Sequence, residues 1–431
     1  MKKVAHNTEY HHLVDQIGIL LTEARNQVAS AANTPLMKTC WKIGQYPSTL
    51  WMRLTMIVVS LVLFVSGIKA EGIVPQDSLM DENFVKASIV VADPGDILYS
   101  TVGHVGLHME CPQHHLDFVF SYEAENVRHK VLSFLAGNLK MGLFAIPTRD
   151  YLDIFKAEGR GVRQYDLNLP IGVKQNLWRI LDNHMLEGAN LPYDYLNRGC
   201  AYSALNMLKE GLDTIPIHYG KWPETYKDMT RRELTEIRMS EFPWTWCFLM
   251  LISNGEIDAN CSNEEKTIMP ADLVYVLQNA TVAGKPMLAK EAEILLPSNY
   301  HPKAHWCSPM LLAIIIVILT LIGLLLKSSI MDYVLLAIQT ILGIVTVYLV
   351  FFSNLVCTEW SWLIIPFNPL PLLLWKWRRR WCLPYAFMIA IWILVMWLWP
   401  HTLTDSTYIV LAIALIVSYI NIFRTLKPNT I

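Results

Sequence analysis

LPYDYLNRGCAYSALNMLKEGL, residues 191–212, decides how the chain is to be read. An Asn-Arg-Gly turn at 197–199 leads into Cys200, and apolar residues at 201, 204, 205 and 208 follow at helical spacing, with Gly211 expected to end the helix. Cys200 therefore opens a helix. A thiol there feels the positive end of the helix dipole, which biases it toward thiolate, the form a cysteine nucleophile requires. By itself a cysteine is more often a small buried apolar residue, so the case depends on what precedes it.

Upstream, SIVVADPGDILYSTVGHVGLHME (88–110) reads as a strand, an Asp-Pro-Gly turn, and a second strand whose alternation puts Val105, Leu107 and Met109 on one face. His104 stands at the mouth of that second strand. DFVFSYE (117–123) is a third strand, and Val173, Leu177, Ile180 and Leu181 mark a helix. Residues 71–306 are thus an α+β domain. A histidine at a strand edge, polar groups on the next strand, and a helix-start cysteine about a hundred residues later form the order His before Cys.

Composition sets the surroundings of this domain. The chain has 431 residues, of which 53% are hydrophobic and 17% charged, more apolar and less charged than a soluble protein. The excess is concentrated in runs at 309–326, 330–352, 362–375, 382–399 and 407–423, several long enough to cross a bilayer as helices. About five spans are expected over 307–431. The third run carries Pro366, Pro369 and Pro371, and so reads as a broken or re-entrant segment. Lys327, the cluster Lys376 with Arg378, Arg379 and Arg380, and Arg424 with Lys427 alternate with Glu359 and Asp405 along the runs. The positive-inside bias then puts all three basic clusters in the cytoplasm and residues 71–308 outside. Trp360, Trp362, Trp375, Trp377, Trp381, Trp397 and Trp399 fall near span ends, as interfacial aromatics do.

Residues 54–68, LTMIVVSLVLFVSGI, preceded by Arg53, read as a signal peptide or signal anchor within 51–70 that exports the downstream chain. Ahead of it, residues 1–50 contain a helical period from Leu13 to Ala31. The net charge is −2 and no basic stripe interleaves with aromatics outside the flanks of the apolar runs, so no nucleic-acid partner is expected. The eight cysteines lack metal-ligand spacing, so no zinc site is expected; Cys247 and Cys261 either pair or remain free thiols.

Five blocks occur in a fixed order: GHVGL (103–107), DFVFSY (117–122), QYDLNL (164–169), YDYLNRGC (193–200) and NPL (368–370). In these blocks, and in its multi-span tail, the chain from about 88 to 424 resembles the Lnb-type lipoprotein N-acyltransferases. The His-before-Cys order also resembles the permuted papain-like fold of lecithin:retinol acyltransferase relatives and permuted NlpC-type hydrolases. The resemblance implies an α+β permuted papain-like domain followed by an all-α transmembrane bundle, seated in the inner membrane with the catalytic domain in the periplasm. It also has a departure: many relatives carry Asp-Asn-Cys-Ser/Ala-Thr where this chain has Arg198-Gly199-Cys200-Ala201-Tyr202. Oxyanion stabilisation then falls to backbone N–H groups at the helix start. Separately, residues 1–46, through the stretch EARNQVASAANTPLMKTCWKIGQY (23–46), resemble the opening helical domain of a YhcG-type nuclease family, read here as a fused fragment or, equally, a cytoplasmic amphipathic tail.

What the resemblance implies is a thiol acyltransferase. Cys200 would take an acyl chain from a membrane phospholipid as a thioester and pass it to the N-terminal amine of a diacylated lipoprotein, with His104 as the base. Asp117, which opens the neighbouring strand, is the expected orienter of the imidazole, with Glu123, His114 and His115 as rivals. Tyr193 and Tyr195 are expected to line the acyl passage. A thioester mechanism needs neither metal nor nucleotide, so no cofactor is expected. The alternatives are a membrane-anchored amidase, peptidase or phospholipase using the same pair, and a binding module with a degenerate site. Multiple spans favour a lipid substrate.

Overall fold

The computed structural model describes residues 84–96, 100–125, 130–188, 191–194, 196–253, 255–258, 262, 264–301, 307–358, 361–398 and 405–426. The extension over 1–50 and the export segment over 51–70 lie outside the described residues. So do Tyr195, Cys261, Glu359, Trp360, Trp399 and Lys427.

The apolar alternation of the exported domain produces a seven-stranded antiparallel sheet. Its elements run β1 (Lys86–Ala92), β2 (His104–Cys111), β3 (Leu116–Ala124), α1 (Val131–Leu135), β4 (Lys140–Pro147), α2 (Thr148–Ala157), β5 (Val162–Asp166), α3 (Ile171–Leu186), β6 (Leu191–Pro192) and α4 (Cys200–Leu212). There follow β7 (Ile217–Tyr219), α5 (Arg231–Arg238), α6 (Pro243–Ile252), α7 (Pro270–Gln278), β8 (Ala280–Val282), β9 (Lys285–Pro286) and β10 (Glu293–Leu296). The sheet order is β10-β5-β1-β2-β3-β4-β6, with β7-β8-β9 as a separate small sheet.

Side-chain parity assigns the two faces. Val105, Leu107 and Met109 of β2, with Phe120 and Tyr122 of β3, join Leu177, Leu181, Ala201, Leu205 and Leu208 in the main core under α3 and α4. The opposite face carries a smaller cluster, Val90, Ala92, Val119 and Val162 against Tyr151 and Phe155 of α2. Gly211 does not end α4, which continues to Leu212. It lies at the crossing with α3, where an added Cβ would sit 3.0 Å from the Leu177 Cβ, so its role is close helix approach.

Beyond the domain come α8 (Pro309–Leu326), α9 (Ile330–Phe352), α10 (Arg378–Leu398) and α11 (Ser406–Thr425), each long and apolar enough to cross a membrane. The third apolar run is not a continuous helix. Its prolines cut it into single turns at Trp362–Ile364, Leu370–Leu373 and Trp375–Trp377. Carbonyls freed by the breaks are met by neighbouring side chains. Gln339 Nε2 donates to Pro366 O at 2.7 Å, and Asn368 Nδ2 to Ile364 O and Ile365 O at 3.0 Å each. Gly343 lets this segment lie against α9, because a Cβ there would meet the Asn368 Cα at 2.5 Å.

Contacts also order the ends of the bundle. Asn421 Nδ2 reaches Ser328 O at 2.9 Å and Arg379 Nη1 reaches Leu426 O at 3.1 Å, so Lys327, Arg378 to Arg380 and Arg424 share one end. At the other end Ser353 Oγ donates to Leu135 O at 2.6 Å, and Tyr408 OH to Cys247 O at 2.7 Å. The α+β domain therefore caps the end of the bundle opposite its basic residues. The broken run links the two ends, from the loop at 353–358 down to Trp375, whose ring packs on Tyr333 at 5.9 Å.

Candidate active site

Gly103 sets the start of β2. Its φ of +82° and the 2.7 Å that a Cβ would leave to Ala92 O admit no side chain, and the turn delivers His104 as the first residue of the strand. Parity puts His104 on the α2 face, where its ring stacks on Phe155 at 6.3 Å. Cys200 starts α4, which packs on the other face. The two meet at the end of the sheet where β2 begins, with the Cys200 thiol within side-chain hydrogen-bonding reach of the imidazole.

The imidazole is held from behind. Its Nε2 lies 2.7 Å from Ser121 Oγ and 3.1 Å from Glu123 Oε1, and Ser121 Oγ in turn donates to Glu123 Oε1 at 2.7 Å. Since Ser121 spends its proton on Glu123, it accepts from His104, so Nε2 carries a hydrogen. Nδ1 is then the nitrogen left for sulfur. Strand register explains the arrangement: Gly106 pairs with Ser121, and two residues further along the ladder Glu123 falls across from His104.

The electrostatics favour a charged pair. Burial pulls the His104 imidazolium down, but the charges of Glu123 and of the Cys200 thiolate, with hydrogen bonds to both, outweigh it and hold His104 well above the ordinary imidazole value. Burial likewise opposes ionisation of Glu123, and the His104 charge, bonds from His104 and Ser121, and nearby Arg160 overcome it, leaving the carboxyl below its usual value. Glu123 keeps 45% of its side-chain surface exposed, so its carboxylate is reached by solvent as well as by His104. Arg160 is fixed beneath by Asp93 O at 2.6 Å, by Glu158 Oε2 at 2.9 Å, and by the Phe155 ring, 4.7 Å from its guanidinium carbon.

At the cysteine, Gly199 is the N-cap residue and has no side chain to cap the helix, and the first N–H groups of α4 lie at the thiol end of the helix. The approach loop is pinned. Asp194 Oδ1 accepts from Leu196 N at 2.9 Å, and Arg231 Nη1 donates to Asn197 Oδ1 at 2.8 Å.

Asp117 is not the partner of His104. Its Oδ1 lies 2.7 Å from His108 Nε2 and also accepts from Thr148 Oγ1, four positions along the strand from the dyad. The carboxylate on His104 is Glu123. His114 and His115 are exposed in the hairpin turn at the far end of β2, with His114 against Phe84. Tyr193 lies near the cysteine: burial and the Cys200 and Asp194 charges push its phenol up, and its ring packs against both the domain core and the bundle core. Sequence reasoning missed Ser121, Phe155 and Arg160; alternation would have put Ser121 on the face of His104, but nothing local marks the other two. Cys247 is a free thiol. Among the described residues no group of three His, Cys, Asp or Glu could hold a metal ion.

Residues 78–232 match the family model of the Lnb N-terminal periplasmic domain. The match spans β1 through β7 and the first residues of α5, and with them His104, Ser121, Glu123 and Cys200, and stops short of the membrane-capable helices. No curated protein and no solved structure matches the chain. Nothing in these comparisons supports the resemblance of residues 1–46 to a nuclease family. The similarity and the four apolar helices together support an Lnb-type membrane protein, resembling the lipoprotein N-acyltransferases, with a periplasmic domain, and suggest that it is an enzyme.

Proposed function

We propose that the protein is a thiol acyltransferase that moves an acyl chain from a membrane phospholipid, through a thioester on Cys200, to the N-terminal amine of a diacylated lipoprotein. The observation that carries this reading is the line Cys200–His104–Ser121/Glu123 placed at the end of a bundle of membrane-capable helices, with Tyr193 packed against both cores. The order His104 before Cys200, with the cysteine on a helix packed over an antiparallel sheet, is also what a permuted papain-like domain would have.

In the first half-reaction the thiol proton passes to His104 Nδ1 and the thiolate attacks the ester carbonyl carbon of the donor. A carbon–sulfur bond forms, and the oxyanion is met by backbone N–H groups at the start of α4. The carbon–oxygen bond then breaks, and the lysophospholipid oxygen leaves with the proton from His104. In the second half the acceptor amine attacks the thioester, His104 takes the amine proton, and the thiolate departs. Glu123 keeps the ring oriented and stabilises the imidazolium each time His104 takes up a proton, and Ser121 bridges the two.

The membrane location favours a lipid donor over water-soluble peptides. An acyl chain withdrawn from the bilayer loses about 0.8 kcal/mol of favourable burial per methylene unless protein surface replaces it. A site whose flanking residue Tyr193 belongs partly to the bundle core offers that replacement. A thioester kept from bulk water survives to meet an amine.

The test is reconstitution in vesicles with phosphatidylethanolamine bearing a labelled acyl chain and a diacylated lipopeptide acceptor. Label should appear as a thioester on Cys200 and then as an amide on the lipopeptide. Release as free fatty acid with no amide would replace this reading by a phospholipase, and no adduct on Cys200 would end it.

A further inference from the structure

Two short helices of the domain lie at the level where the bundle ends, and each leaves apolar residues uncovered. In α1, Phe134 is buried but Val131 and Leu132 are 46% and 77% exposed. The carboxyl end of α1 is tied to the end of α9 through Ser353 Oγ to Leu135 O and through Asn354 N to Ala136 O at 3.0 Å. Leu132 therefore sits within one helical turn of the point where a membrane-capable helix stops. The second helix, α6, is apolar along its length (PWTWCFLMLI), and Trp244, 43% exposed, donates from Nε1 to Cys307 O at 2.8 Å, next to Ser308, the N-cap of α8. Two independent attachments thus put both helices at one height, that of the ends of the membrane-capable helices α8 and α9.

Between them runs a file of rings. Phe248 of α6 stacks on Phe134 at 6.5 Å, Phe134 packs on Tyr193 at 6.4 Å, and Tyr193 is close enough to feel the Cys200 charge. Phe248 and Tyr193 are only partly buried, so the file is a seam rather than a sealed core.

We propose that the seam between α1 and α6 is the portal through which one acyl chain of a lipid in the adjacent leaflet reaches Cys200, with Val131 and Leu132 on one lip and Trp244 on the other. The inference rests on the reading of the protein as a lipid-dependent acyltransferase and names where that lipid enters. The occupant is a hydrocarbon chain for a physical reason: a leucine left this open beside water is unfavourable, and at this height the neighbouring medium is the bilayer. Each methylene leaving the leaflet along the rings exchanges lipid contact for aromatic contact and never meets water.

The experiment uses the full chain in phosphatidylethanolamine nanodiscs that contain a lipid with a photoreactive diazirine near the end of one acyl chain. Adducts mapped by mass spectrometry should fall on 131–135 and 244–248 as well as on the spans; adducts confined to the spans would overturn the portal. That readout does not depend on acyl transfer, so it remains decisive even if no Cys200 thioester ever forms and the functional reading fails. In parallel, Leu132→Asp should lower Cys200 acylation from bilayer lipid at least tenfold more than acylation from a soluble p-nitrophenyl ester. Equal losses with the two donors, or no loss with either, would overturn it.

Discussion

Two histidines on one strand, four residues apart and facing the same way, have been given different work. His108 has both ring nitrogens engaged, Nδ1 at 2.7 Å from Gln164 Oε1 and Nε2 at 2.7 Å from Asp117 Oδ1, and so braces β5 and β3 across the middle of the sheet. His104 has the same kind of carboxylate support on one nitrogen only, and its other nitrogen faces a thiol. The difference lies in position along the strand. At mid-strand every polar group finds a neighbour across the ladder, whereas at the first residue of β2 the sheet ends and α4 brings Cys200 to the open side. A buried histidine becomes available for chemistry where the sheet runs out of partners.

The contrast can be broken most directly at the dyad. Cys200→Ala should abolish acyl transfer, and His104→Gln should lower it by about 10²–10⁴-fold, the usual share of a positioned acid–base, with the melting temperature nearly unchanged. If His104→Gln transfers normally, the imidazole is not the base. The same substitution at His108 should leave the rate per folded molecule within about threefold and act on stability instead.

Glu123→Gln keeps the shape and removes the charge that raises His104. Because that charge holds the imidazolium to higher pH, its loss should move to lower pH the alkaline limb of the rate profile, where His104 must still carry the proton it gives to the leaving group. A fall in rate of roughly tenfold is expected, since oriented groups still remain. An unmoved alkaline limb would reduce Glu123 to a structural neighbour. Ser121→Ala should have a smaller effect, about three- to tenfold on rate, because Glu123 Oε1 already lies 3.1 Å from Nε2 and can take the hydrogen alone.

The smallest effect on transfer is expected at Asp117, whose substitution reads in stability. The hydrogen bond from His108, ahead of the opposing cost of burial, holds the Asp117 carboxyl below its ordinary value. Burial lowers His108, and its bonds to Asp117 and Gln164 more than reverse this. A lowered carboxyl stabilises above its unfolded value and loses that contribution as pH falls through the folded one. A raised imidazole stabilises below its unfolded value and loses that contribution as pH rises through the folded one. The pair is therefore at full strength between about pH 4 and pH 6.5. Asp117→Asn should cost about 1 kcal/mol in that window, a modest figure because Asp117 is more than half exposed, and less on either side. Thermal unfolding of the two proteins across pH checks this, and a difference independent of pH would mean that no ion pair is present.

By itself the sequence determined the periodic features. Alternation in 104–111 and 117–123 gave two strands and their faces, the spacing after Cys200 gave a helix that begins there, and apolar run length gave the membrane-capable helices, since each of these depends only on neighbours along the chain. The prolines at 366, 369 and 371 likewise announced a break, because proline disrupts a helix wherever it stands. What only the tertiary structure decided is which groups meet. Asp117, Ser121 and Glu123 share the face of His104, and a shift of the β2–β3 register by two residues would change which of them it meets without altering the alternation at all. The tight turn at 112–115 fixes that register and selects Glu123. Gly211 looked like a helix end until its contact with Leu177 showed a helix crossing, and Arg160 under Phe155 is a contact no spacing encodes. The seating of the dyad against the bundle comes from Leu135 on Ser353 and Cys247 on Tyr408, pairs well over a hundred residues apart, because packing between distant segments is set by the closed three-dimensional surface rather than by any local period.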